Sequence, residues 1–385
     1  MKLAIVTETF PPEVNGVAMT FGVIAGELAR RGHDVTVYRP RRDDLPRDSI
    51  RGGFAEVFLP GWPIPGYPLL RLGFPARGTL RKRWTENRPD LVHVVTEGPL
   101  GASAITAARS LGIPVTSSFH TNFHAYAGDY GFGLLHPLVL AWLRRVHNRT
   151  RRTFVPTREL AGELERQGFR DLAVLSRGVD LRHFDPGLRS AELRRSWGAG
   201  PGDPVVLHVG RMAPEKNYGL LCRIYAAMRT ANPRTRFVLA GDGPLKARLM
   251  AENPGCVFAG FFLRPEIGRY YASADIYVHA SLTETFGNVL TEAMASGLAV
   301  AGFDYAAARQ FVRSGENGLS VPSHDADGLT AAAVRLATEP VLRARLGAAA
   351  RATVETQSWE RVVVRFEQDL SELTQITSTP KPAFA

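Results

Sequence analysis

Cysteine is nearly missing: Cys222 and Cys256 are the only two among 385 residues. So few thiols exclude a disulfide framework or a thiolate metal cage, and they favour the cytosol. No apolar run approaches the roughly 20 residues that a membrane-crossing helix needs. The opening Met1-Lys-Leu-Ala-Ile-Val-Thr is too short for a secretory leader and reads as a buried first strand. The fingerprints G-x-G-x-x-G and G-x-x-x-x-G-K-[ST] are absent, which removes the main support for dinucleotide oxidoreduction and P-loop chemistry. There is no G-x-S-x-G elbow for a hydrolase serine and no repeat at solenoid periods. Acid is in deficit, with 37 Asp and Glu against 47 Lys and Arg and a net charge of +10. That balance favours an anionic partner: nucleic acid, a phosphate-bearing ligand or an acidic membrane surface. Arginine is scattered along the whole chain, however, and an arginine-rich composition alone gives the same excess.

What is present reads as a soluble enzyme of two domains, with 45% hydrophobic and 22% charged residues. Short apolar strands alternate with helical stretches. Strands are expected at Leu3–Val6, Val35–Tyr38, Leu91–Val95, Val115–Ser118 and Thr153–Pro156. Helices are expected at Val17–Arg31, closed by Gly32, and at Ala102–Leu111, Leu138–Arg152 and Arg158–Gln167. After an irregular stretch at Ser176–Asp203 the rhythm restarts. Strands Val205–Val209, Arg236–Ala240, Val257–Phe258, Ile276–His279 and Ala299–Gly302 alternate with helices Tyr218–Ala231, Leu245–Glu252, Pro265–Ser273 and Val289–Ser296. This is α/β sequence, two tandem doubly wound Rossmann-like domains facing a central cleft, with ligands expected at the carboxyl ends of the strands. Gly61–Gly73, with Trp62, Tyr67, Leu69 and Leu70, reads as a loop that either packs on the domain surface or meets a lipid acceptor. Thr374–Ala385, with Pro380 and Pro382, reads as a disordered tail.

The most informative run is Glu284-Thr-Phe-Gly-Asn-Val-Leu-Thr-Glu292. Its Phe286-Gly287-Asn288 turn opens a helix. One acid sits on the loop and the other about one turn into the helix, with free backbone amides between them. Carboxylates beside exposed N–H groups suit a ligand that carries hydroxyls and phosphates, such as a nucleotide sugar. Arg211 and Lys216, in Val209-Gly210-Arg-Met-Ala-Pro-Glu-Lys-Asn217, follow a buried strand. A forked guanidinium and a point-charge ammonium there suit a diphosphate; a solvated cation pair is the bland reading.

Other motifs are weaker. Glu8-Thr-Phe-Pro-Pro-Glu-Val-Asn-Gly16 follows the first strand, and Gly16 would let a phosphate or sugar approach a helix N-terminus closely. Glu8 gains no role from the sequence. In Ala240-Gly241-Asp242-Gly243-Pro244 the glycines suit close approach of a nucleotide, or Asp242 caps a helix with Pro244 in its first turn. His120, in Ser118-Phe-His-Thr-Asn-Phe-His124, stands at a strand end and suits a sugar hydroxyl. His124 would have to join it in a metal site, and no third ligand lies near. Asp325-Ala-Asp327 spells D-x-D but reads better as a helix cap. The basic stretch Arg144, Arg145, Arg149, Arg151 and Arg152 is either a solvated helix face or a dock for anionic lipid.

Together these residues resemble the family 4 retaining glycosyltransferases of the GT-B fold, from the first strand to about Trp359. The resemblance implies that Arg211 and Lys216 hold the donor diphosphate, that Glu284 meets the transferred sugar and that Glu292 binds the ribose. It implies donor contacts for Gly16, Gly210, Gly241, Gly243, Phe286, Gly287, Asn288 and Val289. It assigns His120 to the donor sugar, so His120, Arg211, Lys216 and Glu284 form the expected catalytic set. No essential metal or other cofactor is implied. The base would be read by backbone near Phe261–Leu263. Thr96-Glu-Gly-Pro-Leu-Gly101, Ser117-Ser-Phe-His-Thr-Asn122, Arg177-Gly-Val-Asp180 and Thr283-Glu-Thr-Phe-Gly-Asn288 are similar to a narrower group acting on lipid acceptors. That group includes GDP-mannose-dependent α-mannosyltransferases and sulfoquinovosyl-diacylglycerol synthases; Arg177 follows its pattern.

The expected domains are 1–175, acceptor-binding and completed by a returning helix at 359–373, and 176–358, binding the nucleotide sugar. The expected reaction moves a hexose, mannose from GDP-mannose first, to a hydroxyl of a lipid-linked or glycolipid acceptor with retention. A UDP-sugar-dependent transfer to a diacylglycerol-type lipid and a non-catalytic nucleotide-sugar-binding paralogue are the alternatives. A sugar-nucleotide epimerase or phosphorylase on a similar fold fits the paired acids and the Arg211–Lys216 spacing less well. The expected partners are the nucleotide sugar, the lipid acceptor and an anionic membrane surface, with no nucleic acid. The expected location is the cytoplasm, with peripheral attachment to the inner face of the plasma membrane.

Overall fold

A strand buried on both faces has to be apolar throughout, and the short Val-, Ile- and Leu-rich runs of this chain satisfy that condition. In the computed structural model, which describes residues 1–13, 15–42, 50–64, 67–120, 136–262, 266–281 and 283–378, they form two mainly parallel sheets. The chain divides into unit 1, Met1–Arg177 with Trp359–Ala385, and unit 2, Gly178–Ser358.

Unit 1 runs β1 (Lys2–Val6), α1 (Gly16–Arg30), β2 (Asp34–Pro40), β3 (Ile50–Arg51), β4 (Phe54–Leu59), β5 (Gly61–Ile64), β6 (Tyr67–Gly73), α2 (Arg77–Glu86), β7 (Leu91–Val94), α3 (Pro99–Ser110), β8 (Val115–Ser118), α4 (His136–His147), β9 (Arg152–Val155), α5 (Arg158–Arg166) and β10 (Leu172–Val174). The sheet order is β10-β9-β8-β7-β1-β2-β4-β3, and only β3 runs antiparallel to its neighbour. The switch in strand order lies at β1, between β2 and β7. Helix α1 starts because the Asn15 carboxamide accepts from the amides of Val17 and Ala18. Its buried face, Phe21, Ile24 and Leu28, covers one side of the sheet together with Val363, Phe366 and Leu370 of the returning helix Trp359–Ser378. Arg31 and Arg152 anchor that helix through ion pairs of 2.7 Å to Glu367 and Asp369. Each fully buried apolar side chain of the helix contributes roughly 1.5–3 kcal/mol relative to exposure. Val6, Leu80, Trp84, Leu100 and Ile105 fill the opposite face.

Unit 2 runs α6 (Ala191–Ser196), β11 (Val205–Val209), α7 (Tyr218–Ala231), β12 (Arg236–Ala240), α8 (Lys246–Glu252), β13 (Val257–Gly260), α9 (Glu266–Ser273), β14 (Ile276–His279), α10 (Asn288–Ala295), β15 (Ala299–Phe303), α11 (Ala306–Phe311), β16 (Leu319–Val321), α12 (Ala326–Thr338) and α13 (Pro340–Val354); the returning helix is α14. Its sheet order is β13-β12-β11-β14-β15-β16, all parallel. The loops after β11 and β14 therefore leave neighbouring strands toward opposite sides, the arrangement that opens a ligand crevice.

Several expectations are corrected. Gly61–Gly73 is not a loop but the antiparallel pair β5–β6, with Trp62 opposite Leu72 and Gly61 opposite Gly73. The pair forms a two-stranded sheet of its own, so Pro63 and Pro68 sit on edges, where a missing amide is tolerated. Trp62 is 64% exposed rather than packed on the domain. The side chains of Tyr67, Leu69 and Leu70 lie outside the described residues. Helix α14 continues to Ser378, so the first residues of the expected tail are helical; 379–385 lie outside the described residues. The expected basic helix ends at His147, and Arg152 belongs to β9. Arg151 donates to the Leu373 carbonyl at 2.9 Å, Arg152 pairs with Asp369, and Arg144 donates to the Gln167 carbonyl at 3.0 Å. Three of the five cations thus serve contacts within unit 1.

Candidate active site

At the carboxyl end of β11 the chain turns through Gly210 and Arg211 into a short 3-10 turn, Pro214–Lys216. Asn217, at φ 55°, then starts α7. Arg211 is exposed at the mouth of this loop. Lys216 turns back, and its Nζ meets Glu284 Oε1 at 2.5 Å, with the side chains only 17% and 12% exposed. The Tyr305 hydroxyl fixes the backbone of Glu284, donating to its carbonyl at 2.6 Å and accepting from its amide at 3.0 Å. Burial alone would raise the Glu284 carboxyl, but the Lys216 ammonium, helped by His279, outweighs it and holds the group below the usual carboxylate range. The loop therefore carries a paired, ionised acid.

Gly287 caps α10 at φ 94°, a left-handed conformation that glycine adopts at little cost. A Cβ there would stand 3.4 Å from Nε2 of the buried His279. Among the described residues no side chain caps α10, which leaves the Asn288 and Val289 amides as candidate donors at the positive helix end, while the Leu290 amide bonds the Gly287 carbonyl at 3.0 Å. Asn288 and Val289, the first two residues of that helix, are half-buried. The Phe286 ring belongs to the core, 3% exposed, and its carbonyl accepts from Ala307 at 2.8 Å, so only its amide side remains for a ligand. One turn on, Glu292 accepts from the hydroxyl of the buried Tyr271 at 3.1 Å.

Beneath the loops lie two histidines at strand ends. Burial pushes His208 down to about 3 and His279 down to about 4, so both are neutral at pH 7, and the Lys216 charge acts in the same sense. His208 stacks on Tyr277 at 6.1 Å and meets Tyr218 edge-on at 5.0 Å.

The glycines after β12 also pack against the neighbouring loop. A Cβ on Gly241 would stand 1.9 Å from the Gly210 carbonyl oxygen, and one on Gly243 would stand 2.5 Å from that of Met212. Met212 donates to the Asp242 carbonyl at 2.8 Å and Leu245 to that of Met212 at 3.0 Å. These glycines let the β12 loop press on the β11 loop, which places Gly210 and Arg211. Asp242 is not a helix cap: α8 begins at Lys246, and the Asp242 carboxylate accepts from the Gly243 amide at 2.7 Å and from Lys246 at 3.1 Å.

Unit 1 holds the other candidates. Gly16 is exposed as the first residue of α1. His120 stands two residues past β8, edge-on to Phe21 of the same helix at 5.7 Å. Arg177 Nη2 donates to its Nδ1 at 3.2 Å. Glu8, without a role in the sequence, accepts from the Leu100 amide at 3.0 Å at the start of α3. Burial, against those helix amides, pushes Glu8 up to about 7, and burial with Glu8 nearby does the same to Glu97.

His124 and Leu263 lie outside the described residues; Phe261, past β13, is 56% exposed. Asp325 caps α12, accepting from the Gly328 amide at 2.9 Å, with Asp327 in the first turn. Among the described residues no group of three or more His, Cys, Asp or Glu is arranged to hold a metal ion.

Tyr305, Tyr271, His208 and His279 were not singled out from sequence. A histidine inside an otherwise apolar strand is a signal for the latter two. The tyrosines give none, because their partners are 21 residues away.

Two family models match the chain: Glycosyltransferase Family 4 over residues 14–183 and Glycosyl transferases group 1 over residues 203–339. A GDP-mannose-dependent alpha-mannosyltransferase of Mycolicibacterium smegmatis is 35% identical over 368 residues, covering 93% of this chain and 94% of that protein. The sulfoquinovosyl transferase SQD2 of Arabidopsis thaliana is 28% identical, covering 91% and 71%. Among solved structures, a sucrose-phosphate synthase from Thermosynechococcus elongatus superposes with a TM-score of 0.79 at 18% identity, covering 98% of this chain and all of that one.

Proposed function

The chain belongs to the family 4 glycosyltransferases and is a hexosyltransferase of GT-B fold, and from that premise we propose that it moves mannose from GDP-mannose to a hydroxyl of a lipid-linked or glycolipid acceptor, with retention at the anomeric carbon. The observation that carries the chemistry is the Lys216–Glu284 pair beside the start of α10, where the cap is a glycine without a side chain. As the glycosidic bond breaks, negative charge grows on the departing diphosphate. Lys216, Arg211 and the α10 amides stabilise it at fixed positions. Glu284 binds a hydroxyl of the sugar, and Glu292, held by Tyr271, binds the ribose. The acceptor hydroxyl attacks from the face the diphosphate leaves, and the leaving phosphate takes its proton. The cationic side chains and helix amides carry the charge in this scheme, which calls for no metal ion.

The mannosyl donor is supported by likeness over almost the whole length of the GDP-mannose-dependent relative. Glucosyl or sulfoquinovosyl transfer from a UDP-sugar to a diacylglycerol-type lipid is the second reading, favoured by the likeness to SQD2. A lipid acceptor also agrees with the surface of unit 1. Leu138, Val139 and Trp142 of α4 are 67%, 43% and 43% exposed, beside the exposed Arg145, and Trp62 projects from β5. No helix of the described residues is long and apolar enough to cross a membrane, so contact with a bilayer would be made from its surface. Incubation with GDP-mannose, UDP-glucose and other donors, with glycosylated diacylglycerol as acceptor, tests the reading. The expected result is turnover of GDP-mannose above all others, giving an α-linked product. Turnover confined to a UDP-sugar would replace the first reading by the second.

A further inference from the structure

Arg177, the last residue of unit 1, is 3% exposed. Its Nη2 lies 3.2 Å from Nδ1 of His120. A guanidinium has donors and no acceptor, so Nδ1 must be the accepting nitrogen. A ring that accepts at Nδ1 carries its proton on Nε2. The surroundings agree. Burial pushes the Arg177 guanidinium down to about 10, which keeps it charged at neutral pH. Burial first, then the Arg177 charge, pushes the His120 imidazole well below its ordinary range, with His93 and His147 acting in the same sense. His93 stacks behind Phe21 at 5.3 Å and is itself held, through Nδ1 to Thr116 at 2.8 Å and Nε2 to Ser118 at 3.0 Å. His147 meets Ser117 through Nδ1 at 2.9 Å. Among the described residues, Arg177, His93 and His147 thus each disfavour the imidazolium.

We propose that Arg177 is a positioning residue that locks His120 in the Nε2–H tautomer, making it a hydrogen-bond donor to an oxygen of the sugar donor and not a base. The proposal rests on the reading that His120 meets the donor sugar. It also explains why an arginine suits this place: the fork reaches a ring nitrogen while its charge opposes a second proton on that ring.

The test begins with the wild-type protein labelled with nitrogen-15 in its histidine rings, the His120 signals being assigned by their loss in His120→Gln. At pH 7 His120 is expected to show a bare Nδ1 and a protonated Nε2. A protonated Nδ1 overturns the proposal without any variant at position 177. In Arg177→Leu the ring is expected to become a mixture of tautomers. Because the ring also loses the charged hydrogen bond that fixes its orientation, kcat should fall by about 10- to 100-fold, with the donor KM changing by less than about threefold. Arg177→Lys, which keeps a charged donor, should recover part of both. An unchanged tautomer and kcat in a folded Arg177→Leu also overturns the proposal. Should Arg177→Leu fail to fold, the wild-type spectrum and Arg177→Lys decide. The spectrum needs no turnover, so a protein that transfers no hexose would defeat the functional reading while the tautomer still stands or falls by itself.

Discussion

Lys216 spends one of its three ammonium protons on Glu284, which leaves two for an incoming diphosphate. In the proposed reaction the same side chain both holds the acid ionised and offers charge to the leaving group. Lys216→Ala is expected to lower kcat by about 10²–10³, the usual effect of removing one preorganised charge donor, with a smaller change in donor KM. Steady-state kinetics with the preferred donor would show this, and near-normal kcat would refute the role. Arg211, Lys216, Glu284 and Glu292 were legible as candidates in the sequence, because the two cations follow a buried strand and the two acids bracket a turn that opens a helix. Their supports were not. Tyr305 and Tyr271 reach the two acids across 21 residues of chain, and Arg177 reaches His120 across 57. Such pairings are set by strand order, which a linear pattern does not contain.

At the scale of elements, β11, β12, β14 and α7 were readable to the residue, since each is a short apolar run or an amphipathic stretch between clear stops. The hairpin β5–β6 was not, because its prolines and glycines are loop signals, and only its freedom from other strands makes them tolerable. Helix α4 shifted for a related reason: its arginines continue past His147 although the helix does not. What remains on α4 is an exposed apolar ridge with Arg145, which the proposed function assigns to a lipid surface. Trp142→Asp is expected to weaken binding to anionic vesicles about tenfold or more, and salt should weaken the wild-type protein too. Co-sedimentation unaffected by either change would remove the bilayer from the account.

At the scale of the whole molecule, five buried histidines among the described residues stay neutral in the fold: His93, His120, His147, His208 and His279, all held below the ordinary 6.5 by burial. Unfolding lets them take up protons, so stability should fall as pH drops below about 6.5. Glu8 and Glu97, pushed up to about 7, act in the opposite sense above 4.5, because the fold keeps protons that the unfolded chain releases. Glu13 and Asp369, also raised by burial, join the two, while the lowered Glu284 and Glu367 act with the rings; five rings against four raised carboxyls give a net loss, and Tm is expected to decrease from pH 6.5 to 4.5. A scanning-calorimetry series in which Tm rises over that interval would contradict the balance. A last consequence concerns synthesis. The sheet of unit 1 receives Val363, Phe366 and Leu370 only from a helix that follows all of unit 2 in the chain. At roughly 5–20 residues per second, the part of that sheet's apolar face not covered by α1 waits on the order of ten seconds or more on the ribosome for its cover. Unit 2, continuous in sequence, can close first, so the order in which the chain is made is not the order in which its halves are finished.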